Sequence, residues 1–400
     1  MSKAIFFNLP AHGHVNPSLS VVEELVRRGE TIIYYATEEF RSRIEGTGAI
    51  FRPYTELPLA DVASVSQKPL AHLGVMLLEG SLRLLPQVLE AAQTEKPDYL
   101  LVDSMCTWGW QVAEKLHLPA ISSVSTFVFT PAAMLGIGLP GDLVKFWWSS
   151  RASRAEYKQI AQQLARRYGV SSPGFMDVFC QLGLINLIYT AKQLQPAANT
   201  LDDRFKFIGP SITLRQEVSD VRLDTGASKP VIYISLGTVH NANRDFYQTC
   251  FKALGENPAY QIVLSIGKNT DIASFTDIPS NFIVRNYVSQ LEILQHADLF
   301  ISHSGMNSVH EALYYGVPLL LVPQIIEQKA VASRVVKNGA GICLDKEKAT
   351  PTTLRYWVDK LLAEPSFHQN AGRLKDALRA AGGAGQAADE IFQLKQRLAV

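Results

Sequence analysis

Short runs of apolar residues, each closed by a polar or small residue, alternate along the first half of the chain with stretches in which apolar residues return every three or four positions. Ala4 to Leu9 predicts a strand buried on both faces, Ser18 to Arg28 an amphipathic helix stopped by Gly29, and Thr31 to Tyr35 a second strand. Tyr99 to Val102, Thr107 to Lys115 and Ala120 to Ser122 repeat strand, helix, strand. That rhythm builds a parallel sheet covered by helices. After Gly209 and Pro210 it lapses into the polar stretch ITLRQEVSDVRLDTGASKP, then resumes with strands at 231–236, 261–267, 298–303 and 318–323. From Pro351 onward only helical periods remain.

The fold expected is α/β, with two doubly wound Rossmann-like domains facing across a cleft. The boundaries are an N-terminal domain at 1–210, a linker at 211–228 and a C-terminal domain at 229–381, with a last helix at about 382–400 packing back onto the first domain.

Composition narrows the function. A chain of 400 residues with 47% apolar content is larger than one core usually absorbs, in keeping with two domains. The 38 basic and 37 acidic side chains are spread along the chain and leave a charge of +1, so no nucleic-acid partner is expected and an anionic ligand is left to be held by helix N-termini and single side chains. Cys106, Cys180, Cys250 and Cys343 form no CxxC pair, and the N-terminus lacks a secretion signal, so the chain is expected to be cytoplasmic. The charge-free stretch from Leu118 to Gly141 contains Pro119, Pro131 and Pro140, so it predicts pocket lining and no membrane insertion.

Candidate chemistry gathers where strands end. Pro10-Ala11-His12-Gly13-His14-Val15-Asn16-Pro17 follows the first strand. Gly13 is expected in a tight turn, Pro17 in the first helical turn, and His14 to project into the ligand crevice as a proton acceptor. A lone histidine in a turn is ordinarily structural, and significance requires a partner. Asp103, directly after the strand YLLV, is the candidate, because a carboxylate on one ring nitrogen fixes the tautomer and stabilises the imidazolium.

In the second half, Gly237 and Thr238 of SLGT end a strand. The block HSGMNSVHEALYYGVPLLLVPQIIEQ, from His303 to Gln328, runs from a strand end through Ser304, Gly305, Asn307 and Ser308 into a helix. Free N–H groups and the positive end of the dipole suit a pyrophosphate there, and Glu311, one turn on, suits paired ribose hydroxyls.

These segments together resemble the family 1 glycosyltransferases of GT-B fold, over nearly the whole chain, and within them the bacterial macrolide-type and broad-acceptor Bacillus-type enzymes. The resemblance implies that His14 is the general base and Asp103 its orienting partner. It implies that Gly13, Gly237, Thr238, His303, Gly305, Asn307 and Ser308 hold the donor diphosphate. Tyr287, Val288, Gln290 and Glu311 would hold base and ribose, and Glu327 with Gln328 the sugar.

Two departures stand out: Glu327 replaces the Asp common in relatives, and Tyr287-Val288-Ser289-Gln290 replaces Trp-Val-Pro-Gln. No DxD triplet occurs, so no cofactor or metal is expected beyond a UDP-sugar co-substrate. The reaction expected is inverting transfer of a hexose, glucose from UDP-glucose, to a hydroxyl of a small hydrophobic acceptor such as a macrolide or flavonoid. Segments 60–90, 105–150 and 170–182 are expected to line its pocket. The competing readings are a catalytically silent nucleotide-binding accessory protein and another GT-B enzyme acting on a lipid-linked sugar or as an epimerase. Oligomeric state is not legible. The string Gly136 to Gly141 matches GxGxxG by chance, with Pro140 where a helix should open, and Phe146, Trp147 and Trp148 are core or pocket aromatics.

Overall fold

The structure, a computed structural model, describes residues 2–55, 57, 70–130, 132–133, 149–212, 221, 223, 229–237, 241, 243–255, 257–268 and 270–398. It divides into two compact units. Unit 1 comprises Met1–Thr190, Gln195–Ser211 and Ala381–Val400, and unit 2 comprises Ala191–Leu194 and Ile212–Ala380.

Unit 1 is built in chain order from β1 (Lys3–Phe7), α1 (His12–Arg27), β2 (Thr31–Ala36), α2 (Arg41–Glu45), β3 (Ile50–Pro53), α3 (Leu70–Glu95), β4 (Tyr99–Asp103), α4 (Thr107–Leu116), β5 (Ala120–Val124), α5 (Arg151–Tyr168), β6 (Asn186–Ile188) and β7 (Phe205–Phe207). Its seven strands lie in the order β3-β2-β1-β4-β5-β6-β7, every pairing parallel. Strand residues alternate between two cores. Ile5, Phe7, Ile33, Leu100 and Val102 face α3, α4 and α5, whereas Ala4, Phe6, Ile32, Tyr34 and Leu101 face α1 and the chain's last helix. Burial of both faces is why these strands read as unbroken apolar runs.

Unit 2 contains β8 (Val231–Ser235), α6 (Arg244–Leu254), β9 (Gln261–Ser265), β10 (Phe282–Arg285), α7 (Gln290–Leu294), β11 (Leu299–Ser302), α8 (Met306–Tyr315), β12 (Leu319–Leu321), α9 (Ile326–Lys337), β13 (Gly341–Cys343), α10 (Pro351–Ala363) and α11 (Pro365–Ala380). Its strands follow the order β10-β9-β8-β11-β12-β13, again all parallel. In both sheets the direction of winding reverses beside the first strand, between β1 and β4 and between β8 and β11. A crevice at the carboxyl ends of such a pair is where open α/β sheets bind ligands.

The final helix, α12 (Gly383–Leu398), belongs to unit 1 and packs along α1. Lys395 Nζ donates to Glu30 Oε1 at 2.7 Å, both side chains nearly buried, and Tyr99 donates to the other Glu30 oxygen at 3.0 Å.

The sequence reading is corrected at α1, which begins at His12 and not at Ser18. Gly13 is its second residue rather than a turn, and Pro17 lies inside it, one turn beyond the expected place. The carbonyl that the proline ring crowds is that of residue i−4, here Gly13, where the backbone carries no side chain to restrict its adjustment. Most of the 211–228 linker lies outside the described residues.

Candidate functional site

In unit 1 three adjacent strands each deliver one polar side chain at their carboxyl ends. His14 follows β1 in the first turn of α1, Asp103 closes β4, and Ser125 follows β5. His14 Nδ1 lies 2.8 Å from Asp103 Oδ2 and also 2.8 Å from Ser125 Oγ. Asp103 is fully buried, and its other oxygen accepts from the Met105 N–H at 2.9 Å.

A carboxylate so placed requires a proton on Nδ1, so the lone pair of neutral His14 resides on Nε2. Around Asp103 the Tyr34, Tyr54 and Tyr189 hydroxyls and the Cys106 thiol are all pushed up, chiefly by burial and further by the aspartate's charge. They stay neutral, and the imidazole is the group suited to change charge near neutral pH.

The first turn of α1, which carries His14, is braced from behind. The two hydrogens of buried Asn8 Nδ2 are shared among the His14 carbonyl at 3.3 Å, Ser18 Oγ at 3.2 Å and the Tyr34 hydroxyl. Tyr54 donates to the Asn8 carbonyl, and Trp108 in turn donates to Tyr54, each at 3.1 Å. His12 turns away from this cluster and sets its ring edge-on to Phe40, 5.0 Å between centroids.

A groove of about 530 Å³ opens beside Trp110, whose Nε1 donates to the Asp103 carbonyl at 3.2 Å. Its wall includes Glu114 and Asp177, which an apolar acceptor would have to desolvate, so the groove does not fit that ligand. Residues 60–69 and 134–148, expected to line the acceptor pocket, lie outside the described residues, with the Gly136 to Gly141 string and Phe146, Trp147 and Trp148.

In unit 2 the corresponding strand ends, of β8 and β11, carry Gly237 and the His303-Ser304-Gly305 turn. The His303 ring lies in a slot between the two glycines. A Cβ at Gly237, whose φ is +78°, would come 2.5 Å from ring Cε1, and one at Gly305 would overlap Nε2. Between them Ser304 adopts φ +69°, a left-handed conformation that costs a non-glycine residue energy, and its N–H donates to Ser302 Oγ at 3.2 Å. Thr238 lies outside the described residues.

Gly305 is the N-cap of α8, and no side chain caps this end. The N–H groups of the first turn, which includes Asn307 and Ser308, have no acceptor within the helix and present the positive end of its dipole. One turn on, Gln290 Nε2 donates to the Glu311 carboxylate and, at 3.4 Å, to Ser308 Oγ. The Gln290 oxygen accepts from Tyr233 at 3.2 Å, so strand β8, α7 and α8 share one polar network. Tyr287 is 56% exposed while Val288 is buried, leaving an aromatic ring at the surface before this network.

Glu327 lies exposed in the first turn of α9. Gln328 does work the sequence did not announce: its Oε1 accepts from the Gln324 N–H at 2.7 Å and from Ile325 N–H at 3.3 Å. That oxygen closes the helix end in place of the apolar N-cap Ile325, and the side-chain NH₂ remains the end able to donate to a sugar. Also within α8, His310 is buried and its pKa is pushed down to about 4 by desolvation.

Among the described residues, no three His, Cys, Asp or Glu side chains gather as metal ligands, and no helix is long and apolar enough to cross a membrane. Ser125 escaped the sequence reading because a single serine in an apolar stretch has no signature; its position after a strand neighbouring that of Asp103 is the signal that finds it.

Comparison with known proteins gives a consistent result. Residues 252–392 match the family described as "Erythromycin biosynthesis protein CIII-like, C-terminal domain". The chain is 36% identical over 399 residues to NDP-glycosyltransferase YjiC of Bacillus subtilis, covering 98% of this chain and 97% of that one. Among solved structures, a glycosyltransferase of kitacinnamycin superposes with a TM-score of 0.85 at 30% identity, covering 98% of both chains. The calicheamicin glycosyltransferase CalG4 superposes with a TM-score of 0.84 at 26% identity over the full length of both.

Proposed function

This chain belongs to the family 1 glycosyltransferases of GT-B fold, enzymes that act on natural-product acceptors, and on that premise we propose that it transfers glucose from UDP-glucose to a hydroxyl of a small hydrophobic acceptor such as a macrolide or flavonoid, with inversion. The observation that carries the reading is the 2.8 Å contact of His14 Nδ1 with buried Asp103, which commits Nε2 to proton acceptance. As the acceptor oxygen forms its bond to the anomeric carbon, its proton passes to Nε2. The carbon's bond to the diphosphate oxygen breaks and the leaving group takes the electron pair. Asp103 stabilises the imidazolium so formed.

Unit 2 supplies the electrophilic side. Charge developing on the leaving diphosphate meets the first-turn N–H groups of α8, Asn307, Ser308 and the His303 ring held between its glycines, with no metal assigned to the task. Tyr287 stacks on the uracil, Glu311 and Gln290 accept from and donate to the ribose hydroxyls, and Glu327 with the Gln328 NH₂ holds the hexose. A cytoplasmic location is part of the same proposal, supported by four cysteines that lie far apart in sequence.

The test is a matrix of donors, UDP-glucose beside other UDP- and TDP-sugars, against one flavonoid and one macrolide. The expected product is a β-glycoside from UDP-glucose, read from the anomeric proton coupling. Preference for a TDP-sugar would overturn the donor assignment, and an α-linked product would overturn inversion.

A further inference from the structure

The general-base reading leaves one contact unexplained. His14 Nδ1 has two neighbours at the same distance, Asp103 Oδ2 and Ser125 Oγ, each 2.8 Å away. An imidazole nitrogen has a single in-plane position for either a hydrogen or a lone pair, so the two neighbours cannot act independently. The carboxylate accepts only, whereas the hydroxyl both donates and accepts.

With Asp103 ionised, Nδ1 carries the hydrogen and Ser125 is left to accept a share of it. Were the aspartate absent, the hydroxyl would be free to donate to a bare Nδ1. The hydrogen would then move to Nε2, and His14 would be locked in the tautomer that cannot take a proton from an acceptor. Ser125 is 5% exposed and follows β5 directly, so little water competes for either arrangement.

We propose that Ser125 is a positioning residue for His14 whose hydroxyl is a supporting acceptor while Asp103 is present and a tautomer trap when it is not. Asp103 thus has a second task beyond stabilising the imidazolium: it sets the direction of the Ser125–His14 hydrogen bond. This inference rests on His14 being the base, and it extends that reading to the selection of the ring's protonation state.

Two consequences separate it from a packing role. In the otherwise unaltered enzyme, Ser125→Ala removes one supporting hydrogen bond and lowers kcat by about 3- to 10-fold, and Ser125→Thr, which keeps a hydroxyl, restores most of it. In the Asp103→Ala background the sign reverses, because Ser125→Ala releases the trap and raises kcat above that of the single Asp103 variant. A side chain that merely filled space would lower the rate in both backgrounds.

The experiment pairs steady-state kinetics of the four proteins in this cycle with ¹⁵N spectra of histidine-labelled enzyme, His14 being the signal missing from His14→Ala. The expected result is an Nδ1–H tautomer in the parent, an almost pure Nε2–H tautomer in Asp103→Ala, and in Asp103→Ala with Ser125→Ala a fall of the Nε2–H share to that of an unperturbed histidine. If the Nε2–H share of Asp103→Ala is the same with and without the Ser125 hydroxyl, or if Asp103→Ala stays in the Nδ1–H form, the proposal is overturned even where rates are too low to compare. Full turnover in His14→Ala would instead defeat the base reading and leave the tautomer result standing.

Discussion

The slot that holds His303 makes a quantitative prediction for Gly237→Ala. The new Cβ would sit 2.5 Å from ring Cε1, about 1 Å inside ordinary contact, and the residue would keep a φ of +78° that costs alanine roughly 1–2 kcal/mol. The obstructing atoms are in a side chain, so the ring yields and the fold survives. A loss of about 1–2 kcal/mol lowers the melting temperature of a unit this size by a few degrees.

With His303 in the proposed donor site, the larger effect is expected on donor turnover, because a misplacement of about 1 Å in a positioned group can cost about 10²-fold in rate. Steady-state kinetics with varied donor, calorimetric titration of UDP and a thermal scan measure the three quantities separately. The decisive control is Gly237→Ala in a His303→Ala background, where the clash is gone and only the left-handed strain should remain. Equal damage to donor turnover with and without the His303 ring would refute the argument that the glycine exists to admit it.

Three further outcomes follow from other parts of the molecule. His14→Ala should lose about 10²- to 10⁴-fold in kcat while UDP binding, measured by calorimetry, is unchanged; a loss confined to donor affinity would remove His14 from the acceptor side. Lys395→Met should destabilise unit 1 by about 3–5 kcal/mol by stranding Glu30, with Lys395→Met plus Glu30→Gln recovering most of it, as read from chemical denaturation and from proteolysis of α12. For His310, no pH dependence arises above the usual value of 6.5, where both folded and unfolded states leave it neutral. Below that the unfolded chain takes up the proton first, so stability falls toward pH 4, by about 3 kcal/mol in all, and His310→Phe should flatten this limb of the stability profile.

What the sequence disclosed depended on how much of each element packs in the sheet interior. The five-residue strands β1, β4, β8 and β9 are nearly continuous apolar runs because helices cover both faces. The short strands β3, β6, β7, β10 and β13 offer too few positions for a period and escape the sequence reading, whereas β12, also short, is legible because it lies in the wholly apolar run PLLLV. Helix α1 starts six residues before the expected Ser18, because Gly13 reads as a turn and Pro17 as a first-turn residue, whereas their spacing of four makes both compatible with the interior of one helix.

His14 and Asp103 were legible because each ends or follows a strand and their chemistry is complementary. The cap made by Gln328 was not, because it serves a helix whose N-cap is the apolar Ile325, and the slot around His303 depends on two glycines 68 positions apart meeting one ring.

Unit 1 is assembled from both ends of the chain, with unit 2 lying between them in sequence. A ribosome therefore releases every residue of unit 2 before α12, so unit 2 can complete its folding while unit 1 still lacks a helix that buries Ala387, Ala388, Ile391 and Leu394 against its core. Early termination a few residues short of the end would spoil the half of the enzyme encoded first. Recombination that exchanges either unit whole needs two crossovers, one on each side of unit 2.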